Sequence, residues 1–357
     1  MHECTTEVCG MLTIGLDVGN GSIGLCVRDG DTLVQDTMPS VYGRVDLTRR
    51  VLSVPGRSAS REVDVFTFGG EHFVLGYQNV HVMHSTPIGA YDREQRYASR
   101  QLETLAKLAL LDAATRTGRT GVIEVAVACG TPSEDFTTRT VEIMQRWFSE
   151  PVTGAKNGEQ VVVMIKRLEV IPQPFAVFLD AYLDQDGLVV DEELEKQDVL
   201  VIDSGSGTLD LSEIHRLELT RQTSIPAGLN DVYQLILEEI RREEPKVYAT
   251  AYDLEAQLRA QDGAQEFWFE YGALRMNITE LRERAMRQVW DRMQQGIQYA
   301  YPDRSSFGRV ILAGGSGEAF RNYFLAWMPS IRIAPEPQLA VARGLYKYAL
   351  AQGAEES

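Results

Sequence analysis

Apolar residues at the start of the chain lie in short runs rather than at helical spacing. Runs of this kind cover residues 12–16, 23–28 and 32–35, and the Asp29-Gly30 pair separates the last two. An Asp-Gly pair suits a two-residue turn between antiparallel strands, because such a turn needs positive φ. The pattern therefore predicts a meander of three short strands.

The rest of the first half alternates between apolar runs and helical spacing, which predicts an alternation of strands and helices. The predicted strands are 122–128 and 167–171, and the predicted helices are 92–116, 134–148 and 173–183. Ser133 is placed to cap the second of these helices. Pro174 suits the first turn of the third helix, where its missing N–H costs nothing. We expect an α/β fold.

An acidic stretch, residues 184–196, is short of apolar residues and is expected to link two halves of the chain. The second half repeats the first in outline. Its predicted strands are 199–202, 209–214, 217–223 and 310–313, and its predicted helices are 230–242, 251–261 and one that begins near 278. Asn277-Ile278-Thr279-Glu280 has the spacing of a capping box for this last helix. A chain of 357 residues is long enough for two domains with separate cores.

Composition and charge narrow the class of protein. The hydrophobic fraction of 44% is that of an ordinary globular chain, and the formal net charge is −16. Such a charge argues against direct binding of nucleic acid, because that affinity depends on Lys and Arg displacing counterions. No run approaches the ~20 apolar residues of a membrane span, and the N-terminus does not read as a signal peptide. We expect a cytoplasmic protein.

Cysteines and histidines do not form a recognisable framework. The four cysteines are scattered along the chain: Cys4, Cys9, Cys26 and Cys129. Their spacing is neither that of a disulfide framework nor that of a metal site, and the first two lie in a polar leader. His81 and His84 lack a third ligand cluster, so we expect loop histidines rather than a metal pair.

The most informative feature is a pattern that occurs twice, each time directly after one apolar strand and directly before another. The two copies are Asp17-Val18-Gly19-Asn20-Gly21-Ser22 and Asp203-Ser204-Gly205-Ser206-Gly207-Thr208, with Asp210 after the second. Alternate glycines allow a turn that brings backbone N–H groups against phosphate oxygens. An aspartate beside such a turn would repel phosphate unless a cation intervened, which implies Mg²⁺ held through water.

Two other interpretations of these loops must be weighed. Either loop alone could be an ordinary glycine-rich turn in which the aspartate satisfies local backbone donors. Recurrence in matching strand contexts favours the phosphate-binding interpretation. Residues 19–24 also match the G-x-G-x-x-G fingerprint of dinucleotide-binding proteins. That fingerprint must open a helix, whereas residues 25–28 are predicted to continue a strand.

A third glycine-rich element follows the predicted strand 310–313. It comprises Gly314, Gly315, Ser316 and Gly317, and Glu318 is expected to start a helix. It is not a Walker A loop, because Gly-Lys-Ser/Thr is missing. A strand-to-helix turn of this kind offers close backbone approach and a positive helix N-terminus to a nucleoside. The alternative is a simple packing turn.

With these three elements in this order, the sequence resembles the actin, Hsp70 and sugar-kinase superfamily, and within it the plasmid-segregation proteins of the ParM/StbA type. Residues 17–22 resemble the first phosphate loop, residues 203–210 the second and residues 313–318 the adenosine loop. Two further segments agree with the family, 127–132 and 340–345.

The resemblance implies two homologous actin-like (ribonuclease H-like) domains, 11–183 and 197–336, with a nucleotide cleft between them. A closing helix at about 337–351 would pack back on the first domain.

The resemblance also implies roles for individual residues. Gln173 falls where the family orients the attacking water, although it could instead cap helix amides; Asp203 is the second expected catalytic residue. Asp17 and Asp203 would hold Mg²⁺ through water. The residues expected to bind ATP or GTP are Asp17, Gly19, Asn20, Gly21, Ser22, Gly205, Ser206, Gly207, Thr208, Asp210, Gly314, Gly315, Ser316 and Glu318. Many members carry a lysine on the strand after the first loop; here Arg28 is the nearest cation.

The function implied by the resemblance is a nucleotide-dependent ATPase that assembles with itself into filaments. The plasmid-segregation form implies a DNA-bound adaptor as a partner, which suits an acidic protein that does not itself hold DNA. Two alternatives remain on the same fold, a small-molecule kinase and a nucleotide-regulated scaffold that does not hydrolyse its ligand.

Overall fold

The computed structural model describes residues 10–47, 63–76, 83, 88–89 and 96–355. The strands of the first half are β1 (Leu12–Val18), β2 (Ser22–Asp29), β3 (Thr32–Pro39), β4 (Val41–Arg44), β5 (Phe66–Phe68), β6 (Glu71–Leu75), β7 (Ile88–Gly89), β8 (Gly121–Thr131), β9 (Val152–Lys156) and β10 (Glu159–Pro172). The helices of the first half are α1 (Arg100–Thr115), α2 (Thr138–Trp147) and α3 (Gln173–Tyr182).

The strands of the second half are β11 (Asp198–Ser204), β12 (Leu209–His215), β13 (Glu218–Ile225), β14 (Trp268–Tyr271), β15 (Leu274–Asn277), β16 (Arg309–Ala313) and β17 (Arg332–Ile333). Its helices are α4 (Leu229–Glu243), α5 (Ala251–Ala260), α6 (Thr279–Ala300), α7 (Gly315–Ala319), α8 (Arg321–Trp327) and α9 (Ala340–Glu355). None of the helices in the described ranges is both long and apolar enough to cross a membrane.

The two halves share one strand order. The first sheet runs β3-β2-β1-β8-β10 and continues through five further strands, and the second runs β13-β12-β11-β16-β17. In each, the central strand pairs antiparallel with the strand that follows it and parallel with a later one. The repeat seen in the glycine motifs is therefore a repeat of the whole strand arrangement, although the predicted domain boundaries themselves stay a prediction.

Helices α3 and α9 join the two sheets. Their apolar residues form one buried cluster with side chains from both sheets, including Ala128 of β8 and Val201 of β11. The C-terminal helix α9 also packs across β1, β2 and β8. A buried carboxylate ties the two helices together, because Asp180 accepts from Arg343 Nη2 at 2.7 Å and from Lys347 Nζ at 2.8 Å.

Backbones approach one another closely around α9. A Cβ added to Gly344 would lie 1.7 Å from the carbonyl oxygen of Ala176, and one added to Gly15 would lie 2.1 Å from that of Ala342. These separations are far shorter than any contact a carbon atom can make, so the packing of α9 against α3 and against β1 requires glycine at both positions.

Helix starts differ from the prediction at two places. The predicted helix 92–116 begins only at Arg100, because Ser99 caps it by accepting from the Leu102 N–H at 3.2 Å; residues 92–95 lie outside the described residues. Ser133 does not cap α2. It opens a 3-10 turn, and Thr137 caps the helix instead, accepting from the Thr140 N–H at 3.2 Å.

The predicted capping box at residues 277–280 was wrong. Helix α6 begins at Thr279 without a side-chain cap. The Thr279 hydroxyl accepts instead from the Phe267 N–H at 2.8 Å, and Asn277 accepts from the Thr279 N–H at 3.0 Å. Asn277 therefore bonds the Thr279 N–H rather than the Glu280 N–H that a capping box requires.

The strand predicted at 167–171 was too short, and part of the prediction for the cysteines and histidines concerns residues outside the described ranges. The strand predicted at 167–171 is only the end of the 14-residue β10, whose register shifts between Ile165 and Arg167 and which forms a hairpin with β9. Of the cysteines, Cys26 and Cys129 are free and buried. The predictions for Cys4, Cys9, His81 and His84 concern residues that are not among those described.

The helix crossing predicts a strong difference between two glycine substitutions in α9. We expect Gly344→Ala to destabilise the protein by about 1–3 kcal/mol or more, because its Cβ would meet backbone that cannot move away easily. In Gly353→Ala the new Cβ would meet only the end of the Arg167 side chain at 2.9 Å, which can shift. This control should be neutral or stabilising by up to about 1 kcal/mol. Urea unfolding of both variants measures the difference; equal stabilities would contradict it.

Candidate functional site

The two aspartate-led turns meet in one cleft between the sheets. A Cβ added to Gly21 would lie 2.4 Å from Ser206 Oγ, which places the first turn against the second. The predicted residues that line the cleft are Asp17, Gly19, Asn20, Gly21, Ser22, Gln173, Asp203, Gly205, Ser206, Gly207, Thr208, Asp210, Gly314, Gly315 and Ser316. The structure therefore brings together residues that are up to about 300 positions apart in the sequence.

The two turns have the same local structure. In the first, the Gly19 N–H donates to the Ser22 carbonyl at 3.0 Å, and in the second the Gly205 N–H donates to the Thr208 carbonyl at 2.8 Å. Each turn joins two antiparallel strands, as predicted, so residues 22–29 form β2 rather than the helix that a dinucleotide fingerprint would require.

The third glycine turn is fixed to the second hairpin. Gly314 has φ of 85°, and a Cβ there would lie 2.3 Å from the Ser204 carbonyl oxygen. Ser316 Oγ donates to the Gly205 carbonyl at 2.7 Å. The short helix α7 begins at Gly315 rather than at Glu318. Glu318 is exposed, pairs with Arg321 at 3.0 Å and does not line the cleft.

Gln173 points to the first turn instead of capping its own helix. Its Nε2 donates to Asp17 Oδ1 at 2.6 Å, and the side chain is 7% exposed. The helix α3 that it opens has no side-chain cap. Of the two roles open from the sequence, the capping role does not fit this geometry, whereas the place beside Asp17 suits a residue that positions a small ligand.

Three buried carboxylates converge on the cleft, and burial raises the pKa of each. The pKa of Asp17 rises to about 6, although the hydrogen bond from Gln173 and the charge of Arg96 oppose the rise. The pKa of Asp210 also rises to about 6, against hydrogen bonds that include those from Thr208 Oγ1 at 2.7 Å and the Ser133 N–H at 3.2 Å.

Asp203 is the most strongly shifted of the three. Burial, Asp210 and Asp17, in that order, raise its pKa well above 3.8. Like charges that are held together away from water disfavour ionisation, so a bound cation would relieve the repulsion.

The donor set fits a hydrated cation better than a directly ligated one. Within the described residues, no three His, Cys, Asp or Glu side chains are grouped closely enough to hold a metal ion. Mg²⁺ usually keeps several waters and takes one or two carboxylates together with phosphate oxygens, rather than occupying an all-protein cage. Asp17 and Asp203 on opposite turns could hold such an ion through its waters.

Several residues that line the cleft were not predicted from the sequence: Arg96, Tyr233, Glu255, Arg259 and Gln338. Glu255 and Arg259 form an i,i+4 pair on α5, with Oε1 and Nη2 2.8 Å apart. Their i,i+4 spacing in a predicted helix was the sequence feature that could have identified them as an ion pair. Arg96 falls inside the predicted helix 92–116, and its place in the cleft depends on tertiary structure alone.

Arg28, named as the nearest cation in the sequence, does not line the cleft. It pairs with Asp186 and donates to Tyr346 Oη at 3.3 Å, beside the α9 helix. Sequence proximity to the first turn was misleading here because Arg28 lies near the far end of β2.

Comparison with known proteins supports an actin-like fold. Residues 15–175 match the family model described as actin-like proteins, N-terminal domain. The archaeal actin homologue Ta0583 superposes with a TM-score of 0.72 at 20% identity, covering 97% of this chain and 100% of Ta0583. For the apo psk41 ParM protein the TM-score is 0.71 at 18% identity, with 97% and 99% covered.

A 15-stranded ParM filament from Clostridium botulinum gives a TM-score of 0.72 at 15% identity, with 95% of this chain and 99% of that chain covered. Similar structures also include Ta0583 in complex with ADP and Bacillus thuringiensis ParM with ATP. No curated protein matches this sequence at a significant level. The predicted fold is confirmed, whereas the roles of the site residues stay predictions.

The raised pKa of Asp203 predicts that Asp203→Asn stabilises the ligand-free protein at high pH. Because the pKa of Asp203 is raised on folding, its favourable contribution is present below about pH 3.8 and is lost as pH rises through the folded pKa. We expect the variant to be more stable than the unmodified protein by about 1–3 kcal/mol at pH 8, with a smaller difference at pH 5.

Asp29→Asn is a control of opposite sign. Its hydrogen bond from Arg119 lowers the pKa of Asp29, so its stabilising contribution is present above about pH 3.8 and is lost as pH falls. This substitution should destabilise the protein at pH 8. Thermal unfolding at both pH values measures the two effects, and a destabilised Asp203→Asn protein at pH 8 would refute the expectation.

Proposed function

We propose that this chain, whose residues 15–175 match an actin-like family model and whose fold is that of ParM and of an archaeal actin homologue, binds and hydrolyses a Mg-nucleoside triphosphate and assembles with copies of itself. The observation that carries the proposal is the contact between Gly21 and Ser206, which makes one cleft from two phosphate-type turns. Three buried carboxylates in that cleft supply negative charge that would attract the Mg²⁺ ion of such a ligand.

In this proposal, the three glycine turns bind different parts of the nucleotide. Backbone N–H groups of the two hairpin turns suit phosphate oxygens, and the turn at Gly314 suits the nucleoside. Tyr233 and the pair Glu255 and Arg259 line the cleft and would flank the base. Ta0583 with ADP and Bacillus thuringiensis ParM with ATP support nucleotide binding by this fold.

Hydrolysis in this proposal depends on position more than on a strong base. Mg²⁺, held through water by Asp17 and Asp203, would neutralise charge on the phosphates. Gln173 would hold the attacking water with its amide, and its bond to Asp17 fixes the orientation of that amide. A sugar kinase would need a carboxylate to accept a hydroxyl proton, whereas an amide occupies the corresponding place here.

Self-assembly is the second part of the proposal, supported by the ParM filament of the same fold. Nucleotide binding would draw the two sheets together, and hydrolysis would weaken the assembled polymer. An adaptor that binds plasmid DNA would be the natural cytoplasmic partner, since a chain of net charge −16 is poorly suited to hold DNA directly.

The test combines sedimentation with phosphate release from the same sample. The purified protein is incubated with Mg-ATP, with Mg-GTP, with a non-hydrolysable analogue, and with nucleotide plus EDTA. We expect a pellet with a Mg-triphosphate, none with EDTA, and phosphate release that accompanies assembly. A pellet without phosphate release would instead identify a scaffold, and binding without any pellet under varied salt would refute self-assembly.

Substitution of Gln173 should separate hydrolysis from binding. We expect Gln173→Ala to lower the hydrolysis rate about 10- to 100-fold, because the attacking water loses its orientation. Triphosphate affinity should change little, and filaments should therefore persist longer. Steady-state phosphate release and light scattering measure the two effects. Gln160→Ala, which removes an exposed glutamine on β10, is the matched control; equal hydrolysis rates in the two variants would contradict the role.

A further inference from the structure

Arg96 is a buried cation that faces the cleft and has no part in the hydrolysis proposed for Gln173 and the aspartates. It lies in a 3-10 turn, Arg96–Ala98, directly before α1. The side chain is 7% exposed and lines the same cleft as Asp17 and Gln173. A buried arginine normally pairs with a carboxylate, because burial of an unpaired charge is costly.

The contacts of Arg96 leave most of its donors without a partner in the described residues. Nη2 donates to the carbonyl oxygen of Val18, at the end of β1. Nε is buried and has no hydrogen-bond partner. Arg96 forms no ion pair within the described part of the chain, although its charge acts on the carboxylates of Asp17 and Asp135. A guanidinium has five N–H donors, so this arrangement leaves capacity for an anionic ligand.

The surroundings of Arg96 hold the guanidinium in place. Its Cζ lies 5.6 Å from the ring centroid of Tyr97, and Tyr97 in turn stacks on Trp147 with ring centroids 6.1 Å apart. With the Val18 carbonyl on one side and an aromatic pair on the other, the guanidinium is oriented before a ligand arrives. Such preorganisation reduces the entropy lost on binding.

The charges that line the cleft need a cation of this kind. Arg259, the other arginine that lines it within the described residues, is already paired with Glu255. No lysine lies between Gly24 and Val27 on β2, and Arg28 is paired elsewhere. Among the described residues that line the cleft, Arg96 is therefore the cationic side chain that is not already in an ion pair and could offset the phosphate charge.

We propose that Arg96 binds the terminal phosphate of the nucleoside triphosphate and thereby distinguishes it from the diphosphate. This inference rests on the proposed function. The side chain is bonded at Val18, next to Asp17, which accepts from Gln173. The attacking water must approach the terminal phosphorus, and Arg96 and Gln173 both bond the end of β1, so Arg96 would contact that phosphate rather than the inner ones. A guanidinium also matches phosphate geometry with two parallel N–H donors.

The experiment compares affinities for a non-hydrolysable triphosphate analogue and for the diphosphate, both with Mg²⁺, by calorimetric titration. We expect Arg96→Met to weaken triphosphate binding about 10- to 100-fold, as for loss of a charged hydrogen bond, and diphosphate binding less than about threefold. Arg96→Lys should recover part of the triphosphate affinity, because lysine retains the charge but lacks the two parallel N–H donors of the guanidinium.

Arg96→Gln removes the charge but keeps a polar side chain with N–H donors on a shorter stem. We expect it to lose triphosphate affinity about as strongly as the methionine variant. Arg100→Met is the matched control, because it removes an exposed arginine four residues away and should leave both affinities unchanged. Circular dichroism confirms that each variant folds, and the lysine and glutamine variants carry the test if the methionine variant does not.

The outcomes are distinct. Equal weakening of triphosphate and diphosphate binding in Arg96→Met, or an unchanged triphosphate affinity in Arg96→Gln, would overturn the role and leave Arg96 as a brace for the first turn. If the unmodified protein bound neither nucleotide, the proposed function itself would fail and the inference would fall with it. If the unmodified protein binds nucleotide but the Arg96 substitutions do not weaken triphosphate binding more than diphosphate binding, the inference fails and the proposed function stands.

Discussion

Burial of three carboxylates at one cleft, those of Asp17, Asp203 and Asp210, is the constraint on which the rest of the cleft depends. Burial raises the pKa of each carboxyl group, and the charges of Asp210 and Asp17 raise the pKa of Asp203 further. Hydrogen bonds from neighbours offset part of the cost of ionising these groups. Gln173 donates to Asp17, and Thr208 and the Ser133 N–H donate to Asp210. The cleft therefore keeps these carboxylates at a cost in stability, which fits the cation in the proposed function.

The repeated strand order explains how the cluster is built. One strand arrangement, used twice, places an aspartate at the end of the central strand in each sheet. Because the turns after these strands touch at Gly21 and Ser206, the two aspartates face a common space. The third turn is then tied to the second by Ser316 and completes the other side of the cleft. A small number of backbone contacts thus fixes the positions of most site residues.

Much of this could be predicted from the sequence, and the failures have physical causes. The twin motifs combine glycine positions with flanking apolar strands, so local chemistry alone identified the turns around Asp17 and Asp203. Helix starts at Arg100 and Thr138 were missed because several residues nearby could serve as caps, and tertiary contacts decide among them. The cation was misplaced for a similar reason: Arg28 is close in sequence to the first turn, whereas Arg96 reaches it only through the packing of α1 against β1.

The crossing of α3 and α9 limits how the molecule can change shape. With glycine at position 344 against the Ala176 carbonyl, the helix backbones are already at their minimum separation, and the Asp180 ion pairs lock them laterally. Sliding one helix along the other would force bulkier side chains into that gap. The two sheets should therefore keep a constant spacing at the crossing, and a change in the width of the cleft would have to come from rotation about an axis near Gly344. Small angular changes there would be amplified with distance, so the outer edges of the sheets would move furthest.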